Sequence, residues 1–198
     1  MNYLAHAYLS FNDPQVLTGN MISDYVKGKK QYDYPTVIQA GIQLHRAIDF
    51  FTDQHAASKV ISNLFWPQYR LYGAAFADIV YDYFVANDKE QFATEAALRS
   101  FTQQTYFLLQ QNTAFFPAKF AGMFPYMQSQ NWLYNYQYDW GIQKSFQGLA
   151  RRAAYIPETE IAFEIFLNNK TILQEQYNIF FPSVKKFAAD TMYQLLKA

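Results

Sequence analysis

The chain has 198 residues, 51% of them hydrophobic and 20% aromatic, which is enough apolar material for a full core. Basic and acidic residues balance at 16 each, so the positive excess of a general nucleic-acid binder is missing. There are no cysteines, which excludes disulfides, zinc–thiolate sites and thiol nucleophiles and fits a cytoplasmic protein.

The opening Met1-Asn2-Tyr3-Leu4-Ala5-His6 has neither the basic start nor the long apolar stretch of a leader. No run of about 18 apolar residues follows, so no membrane insertion is expected. Asp13-Pro14 reads as a helix cap followed by proline at the first helical position, with Gly28 as the stop after Val26 or Lys27. Pro35 opens a second helix to about Asp53. A third covers about Tyr69 to Val85. Asn87-Asp88 caps a fourth, from Lys89 to about Gln111. Residues 112–131 carry two prolines and read as broken structure. A helix from Trp132 to Ala154 follows, and Pro157 and Pro182 open the last two. No alternating strand pattern persists, so the fold class is all-α: a single helical domain over 1–198 with a motif-bearing core in about 1–90 and a helical remainder in about 91–198. The abundance of Tyr and Phe predicts a large aromatic core rather than an aromatic groove.

Chemistry concentrates in the first 90 residues. Ile38, Ile42, His45, Asp49 and Asp53 are spaced four, three, four and four apart and share one helix stripe. The isoleucines should face the core, which carries His45 and Asp49 inward. Asp78 and Asp82 sit one turn apart in Phe76-Ala77-Asp78-Ile79-Val80-Tyr81-Asp82-Tyr83-Phe84, surrounded by apolar and aromatic residues. Two carboxylates that close repel unless a cation lies between them, and a divalent metal is the simplest such cation. Upstream stand Asn20 and Asp24, again one turn apart, and His6 in an apolar segment. Taken singly, His6 reads as a core histidine, Asp53 as a helix-ending acid and Arg46 as an ion-pair partner. Taken together, Asp24, His45, Asp49, Asp78 and Asp82, with few other charges near them and His6 as a further candidate ligand, read as a metal or catalytic cluster rather than a purely structural polar network. Mixed imidazole and carboxylate donors suit manganese, magnesium, iron or zinc. Lys27, Lys29 and Lys30 follow the Asn20/Asp24 helix and could flank the mouth of such a site.

These segments carry a resemblance. Met1–His6, Gly19-Asn20-Met21-Ile22-Ser23-Asp24-Tyr25-Val26-Lys27-Gly28, Gly41-Ile42-Gln43-Leu44-His45-Arg46-Ala47-Ile48-Asp49-Phe50-Phe51-Thr52-Asp53 and Asp78–Phe84 resemble, in order and spacing, the successive motifs of the acyl carrier protein phosphodiesterases. That family is similar to the helical HD-type metal phosphohydrolases. The resemblance implies hydrolysis of the phosphodiester that joins 4′-phosphopantetheine to a serine of acyl carrier protein, with a divalent metal, often manganese. In that scheme Arg46 binds phosphate through its fork of donors, Asp53 takes the proton of the attacking water, and Lys27, Lys29 and Lys30 meet the acidic carrier protein. Two positions depart from the family pattern: Leu71 and Tyr83 stand where histidines are usual. Alternatives are another small phosphoester hydrolase, or a helical binder of acyl carrier protein without catalysis.

Overall fold

The computed structural model describes residues 1–153, 155–156 and 158–197, and among them every regular element is helical. The α-helices are α1 (Tyr3–Tyr8), α2 (Pro14–Ile22), α3 (Thr36–Gln54), α4 (Ala56–Tyr69), α5 (Gly73–Asn87), α6 (Glu95–Gln110), α7 (Ala118–Ser129), α8 (Trp132–Asn135), α9 (Asp139–Arg152), α10 (Glu160–Asn168) and α11 (Lys170–Lys197). No helix is long and apolar enough to cross a membrane.

Local chemistry explains several boundaries. The Asp13 carboxylate accepts from the amides of Gln15 and Val16, and Pro14 follows as the first helical residue of α2, as the sequence predicts. This helix ends four residues early. Ser23–Tyr25 tightens into a 3-10 turn in which the Ser23 hydroxyl donates to the Ile42 carbonyl of α3, so a tertiary bond overrides the local helical signal. Gly28, at a φ of 55°, then starts a second 3-10 segment, Gly28–Asp33.

Other expected boundaries move for similar reasons. The single helix expected over Tyr69–Val85 is interrupted where Arg70 takes a left-handed φ of 51°. The whole of α4 went unforeseen because its cap is the ring of His55, whose Nδ1 accepts from the Ala57 amide. Asp88 does not cap a helix from Lys89; its oxygens accept from the Glu90 amide, the Gln91 amide group and the Tyr177 hydroxyl. Helix α6 starts later, capped by Thr94. The stretch read as broken contains α7, with Pro125 inside it, and the helix expected from Trp132 divides into α8 and α9. Pro157 lies outside the described residues. Pro182 sits within α11 rather than opening a helix: Phe180, Phe181, Val184 and Ala188 bury on both sides of it and hold the helix continuous.

The core is aromatic. Phe65 stacks on Phe76 at 5.2 Å, Phe146 meets Phe76 edge-on at 4.9 Å, and Tyr81 stacks on Phe180 at 4.4 Å. Each fully buried ring contributes about 2–3 kcal/mol of transfer free energy. One contact matters most for function. At the crossing of α2 and α3, a Cβ on Gly19 would lie 2.1 Å from the Ile38 carbonyl, and one on Gly41 would lie 2.2 Å from the Val16 carbonyl. Only glycine permits this approach, and it brings α2 against the first turns of α3.

Candidate metal centre

The close crossing of α2 and α3 carries Asp24 to the His45–Asp49 stripe, and α1 delivers His6 from the other side. One donor atom from each of His6, His45 and Asp49 lies within 4.8 Å of the others. His6 Nε2 is 3.1 Å from Asp49 Oδ1, and His45 Nε2 is 3.0 Å from Asp49 Oδ2 and 3.3 Å from Asp24 Oδ1. The two imidazole rings stack, with centroids 4.0 Å apart. Donors around one divalent ion are separated by about 3 Å, given metal–ligand bonds of about 2.1 Å, so this spacing fits an ion.

A neighbour occupies one nitrogen of the His45 ring. The Asn20 amide group donates to the His6 carbonyl and to Ser10 Oγ, which turns its oxygen toward His45 Nδ1 at 3.2 Å. Nδ1 therefore carries a hydrogen, and Nε2 faces the two carboxylates: protonated in the charged ring, it becomes a lone-pair donor when an ion displaces that proton. That Nε2, like His6 Nδ1, is buried without a hydrogen bond. Unsatisfied buried ring nitrogens are costly in a purely structural cluster and are what a metal site requires.

The charges are strongly coupled. Burial, followed by the charge of His45, lowers His6 to about 4. Burial also opposes charge on His45, but Asp24 and Asp49 outweigh it and raise this ring to about 9. Burial works against ionised Asp49, yet the amino terminus, His6 and His45 hold its carboxyl well below the usual range.

The acids on α5 part company. Asp78 Oδ1 lies 2.9 Å from the Met1 amino group, which is also 3.3 Å from Asp49 Oδ1. A cation does lie between two carboxylates, but the pair is Asp49 and Asp78, and the cation is an ammonium. Asp82 is buried and stands apart: its oxygens accept from the amides of Leu4 and Ala5 at 2.8 and 3.0 Å. Asn2, at the start of α1, makes no capping bond of its own, so Asp82 caps α1 from another helix. The expectation that Asp82 ligates metal gives way to a positioning role for the helix that bears His6.

The remaining candidates divide. Arg46 and Lys27 line a pocket of about 380 Å³ together with Asp24, His45 and Asp49. The Arg46 guanidinium donates to the Gln31 side chain at 2.9 Å and the Val26 carbonyl at 2.8 Å, both neutral acceptors, and among the described residues it makes no ion pair. Lys29 and Lys30 are exposed on the adjoining 3-10 segment. Asp53 is exposed one turn past Asp49, outside the pocket lining. Neither departure from the family pattern touches the cluster. Leu71 is 83% exposed on a turn, and the Tyr83 hydroxyl receives Lys170, which pairs with Asp139 at 2.6 Å. Sequence reasoning missed Ser10 and the amino group. Asn20 was visible only as the partner of Asp24 at one helical turn.

Comparisons with known proteins give the family. The family model for acyl carrier protein phosphodiesterase matches residues 1–184. The chain belongs to the acyl carrier protein phosphodiesterase family. A relative of that name from Yersinia pestis is 29% identical over 188 residues, covering 95% of this chain and 97% of its own. Another, from Klebsiella pneumoniae strain 342, is 30% identical over 192 residues, with the same coverage. No solved structure matches. Asp24, His45, Arg46 and Asp49 line one pocket, and His6 groups with His45 and Asp49 beside it.

Proposed function

We propose that this chain is a metal-dependent phosphodiesterase that hydrolyses 4′-phosphopantetheine from holo-acyl carrier protein, in the cytoplasm, leaving apo-acyl carrier protein. Family membership supports the substrate. The observation that carries the metal is the unsatisfied Nε2 of His45, which lies against two carboxylates while Asn20 holds Nδ1. His6, His45 and Asp49 would hold the ion, with Asp24 and Asp78 beside them. Manganese is the first choice; magnesium, iron and zinc suit the same donors. When bound, the metal would supply Lewis-acid polarisation of a phosphoryl oxygen and acidify a water.

The residues supply the rest. Arg46 lines the pocket and, among the described residues, no carboxylate pairs with its guanidinium, which suits it to a non-bridging phosphodiester oxygen. Asp24 lines the pocket with its side chain 68% exposed, so it is better placed than Asp53 to take the proton of the attacking water. A P–O bond to water forms, the P–O bond to serine breaks, and the serine oxygen recovers a proton. Lys27, Lys29 and Lys30 would meet the acidic carrier protein at the mouth. Incubating the protein with holo-acyl carrier protein and manganese should release the arm, read as a loss of carrier-protein mass by mass spectrometry. An unchanged mass with every candidate metal would defeat the reading.

A further inference from the structure

Beside the pocket lies a surface that folding does not explain. The 3-10 segment Gly28–Asp33 is six residues long and buries no side chain. It exposes Lys29, Lys30 and Tyr32, the last 63% exposed. The segment is fixed in place by the bond from Arg46 to Gln31. One helical turn after Arg46, and next to Asp49, Phe50 is 69% exposed. Residues four apart on a helix lie side by side, so Phe50 borders the Arg46 wall of the pocket. Among the described residues, no carboxylate lies within ion-pair distance of Lys27, Lys29, Lys30 or Arg46; Asp33 is the segment's one acid. An exposed aromatic ring among unpaired cations at the mouth of a site has the makeup of a protein-binding hot spot: an apolar anchor within a complementary charged rim.

We propose that Phe50, with Tyr32 as a second anchor, forms the apolar centre of the docking face for the acidic carrier protein, and that the lysines are its steering rim. The proposal rests on the phosphodiesterase reading and adds the residues that select the protein rather than its phosphodiester. Charge complementarity decides the occupant: four uncompensated cations favour an acidic surface over a second copy of this balanced chain. The arrangement also divides labour, with charge setting the encounter rate and the buried ring setting residence time.

The test uses apo-acyl carrier protein, which has no arm to engage the pocket, so binding reports on the face alone. Phe50→Ala should weaken the dissociation constant at least about tenfold, mainly through faster dissociation, and Tyr32→Ala should weaken it less. Phe107→Ala, a control on α6 that removes a ring 56% exposed, should bind as wild type does. All three should melt as wild type does, since an exposed ring contributes little to folding. Unchanged binding by Phe50→Ala, or equal weakening by Phe107→Ala, would overturn the proposal. So would a dimer of this chain that Phe50→Ala dissolves while carrier binding stays intact. Release of the arm from the holo form is scored separately, so the enzymatic reading and the docking face can fail independently.

Discussion

Two polar clusters in this protein look alike in composition and differ in what they leave unfinished. Around α9 and α11, Lys170 meets Asp139 at 2.6 Å and the Tyr83 hydroxyl at 3.2 Å, and its ammonium lies about 5 Å from the rings of Tyr83 and Phe166. Cation, acid and hydroxyl all have partners, and the cluster is complete as a structural device. Around α1, α2 and α3, two stacked imidazoles share one carboxylate, and a ring nitrogen on each lacks a hydrogen bond. A nearby guanidinium is held only by neutral acceptors. Burying polar groups is common to both; leaving their bonding capacity open marks the second as a place built for something else.

The largest way to break that contrast is through the backbone. Gly41→Ala would drive a Cβ to 2.2 Å from the Val16 carbonyl, a backbone atom that cannot rotate away. The helices must separate, which should cost about 3 kcal/mol or more and move Asp24 from His45. Urea unfolding measures the first effect and metal affinity the second. The same substitution at Gly122, where a Cβ meets nothing within 4 Å, should leave both intact.

A smaller effect separates Asp82 from the ligands. Asn offers one oxygen where Asp82 offers two, so Asp82→Asn leaves one of the Leu4 and Ala5 amides without its acceptor, at about 1 kcal/mol. Faster hydrogen exchange at those amides, with metal binding retained, is the expected result. The pH dependence has a definite sign. Burial pushes the Asp82 carboxyl up to about 7, against the pull of the two amides, while an unfolded Asp titrates near about 3.9. The folded state therefore binds the extra proton between those values. The contribution of Asp82 is fully present below the lower one and is lost as pH rises toward and through about 7. Melting temperatures from pH 4 to 8 should show this falling component in wild type and not in Asp82→Asn.

The smallest effect lies at the rim. Reversing Lys27, Lys29 and Lys30 should slow association with acyl carrier protein, with an effect that shrinks as salt rises through the range where the screening length falls to about 8 Å. Stopped-flow association at two ionic strengths reads it. An on-rate indifferent to the triple change would take the steering role away from these lysines.

The sequence made the all-helical class legible, because no alternating pattern competes with the helical stripes. It also showed that His45 and Asp49 belong together, since residues one turn apart must share a face, whereas spacing tied Asp24 only to Asn20 and the crossing of α2 and α3 brings it to His45. What it could not show was the fate of Asp78 and Asp82. They too share a face, yet one carboxylate meets an amino group and the other meets the amides of α1, and those partners are fixed by tertiary packing. The same holds for α4, whose cap is a histidine ring, and for α11, where core packing on both sides carries the helix through Pro182.

The central claim is that His6, His45 and Asp49 hold a divalent ion. Manganese that binds only the folded state must raise stability, by about 2.7 kcal/mol at a hundred times its dissociation constant. Thermal melting of wild type and Asp49→Asn, each with manganese and with chelator, tests the claim most directly. The expected result is a wild-type melting temperature that rises with manganese and falls back with chelator, and an Asp49→Asn protein that responds to neither. A wild-type protein indifferent to both would contradict the claim and return the two histidines to a structural role.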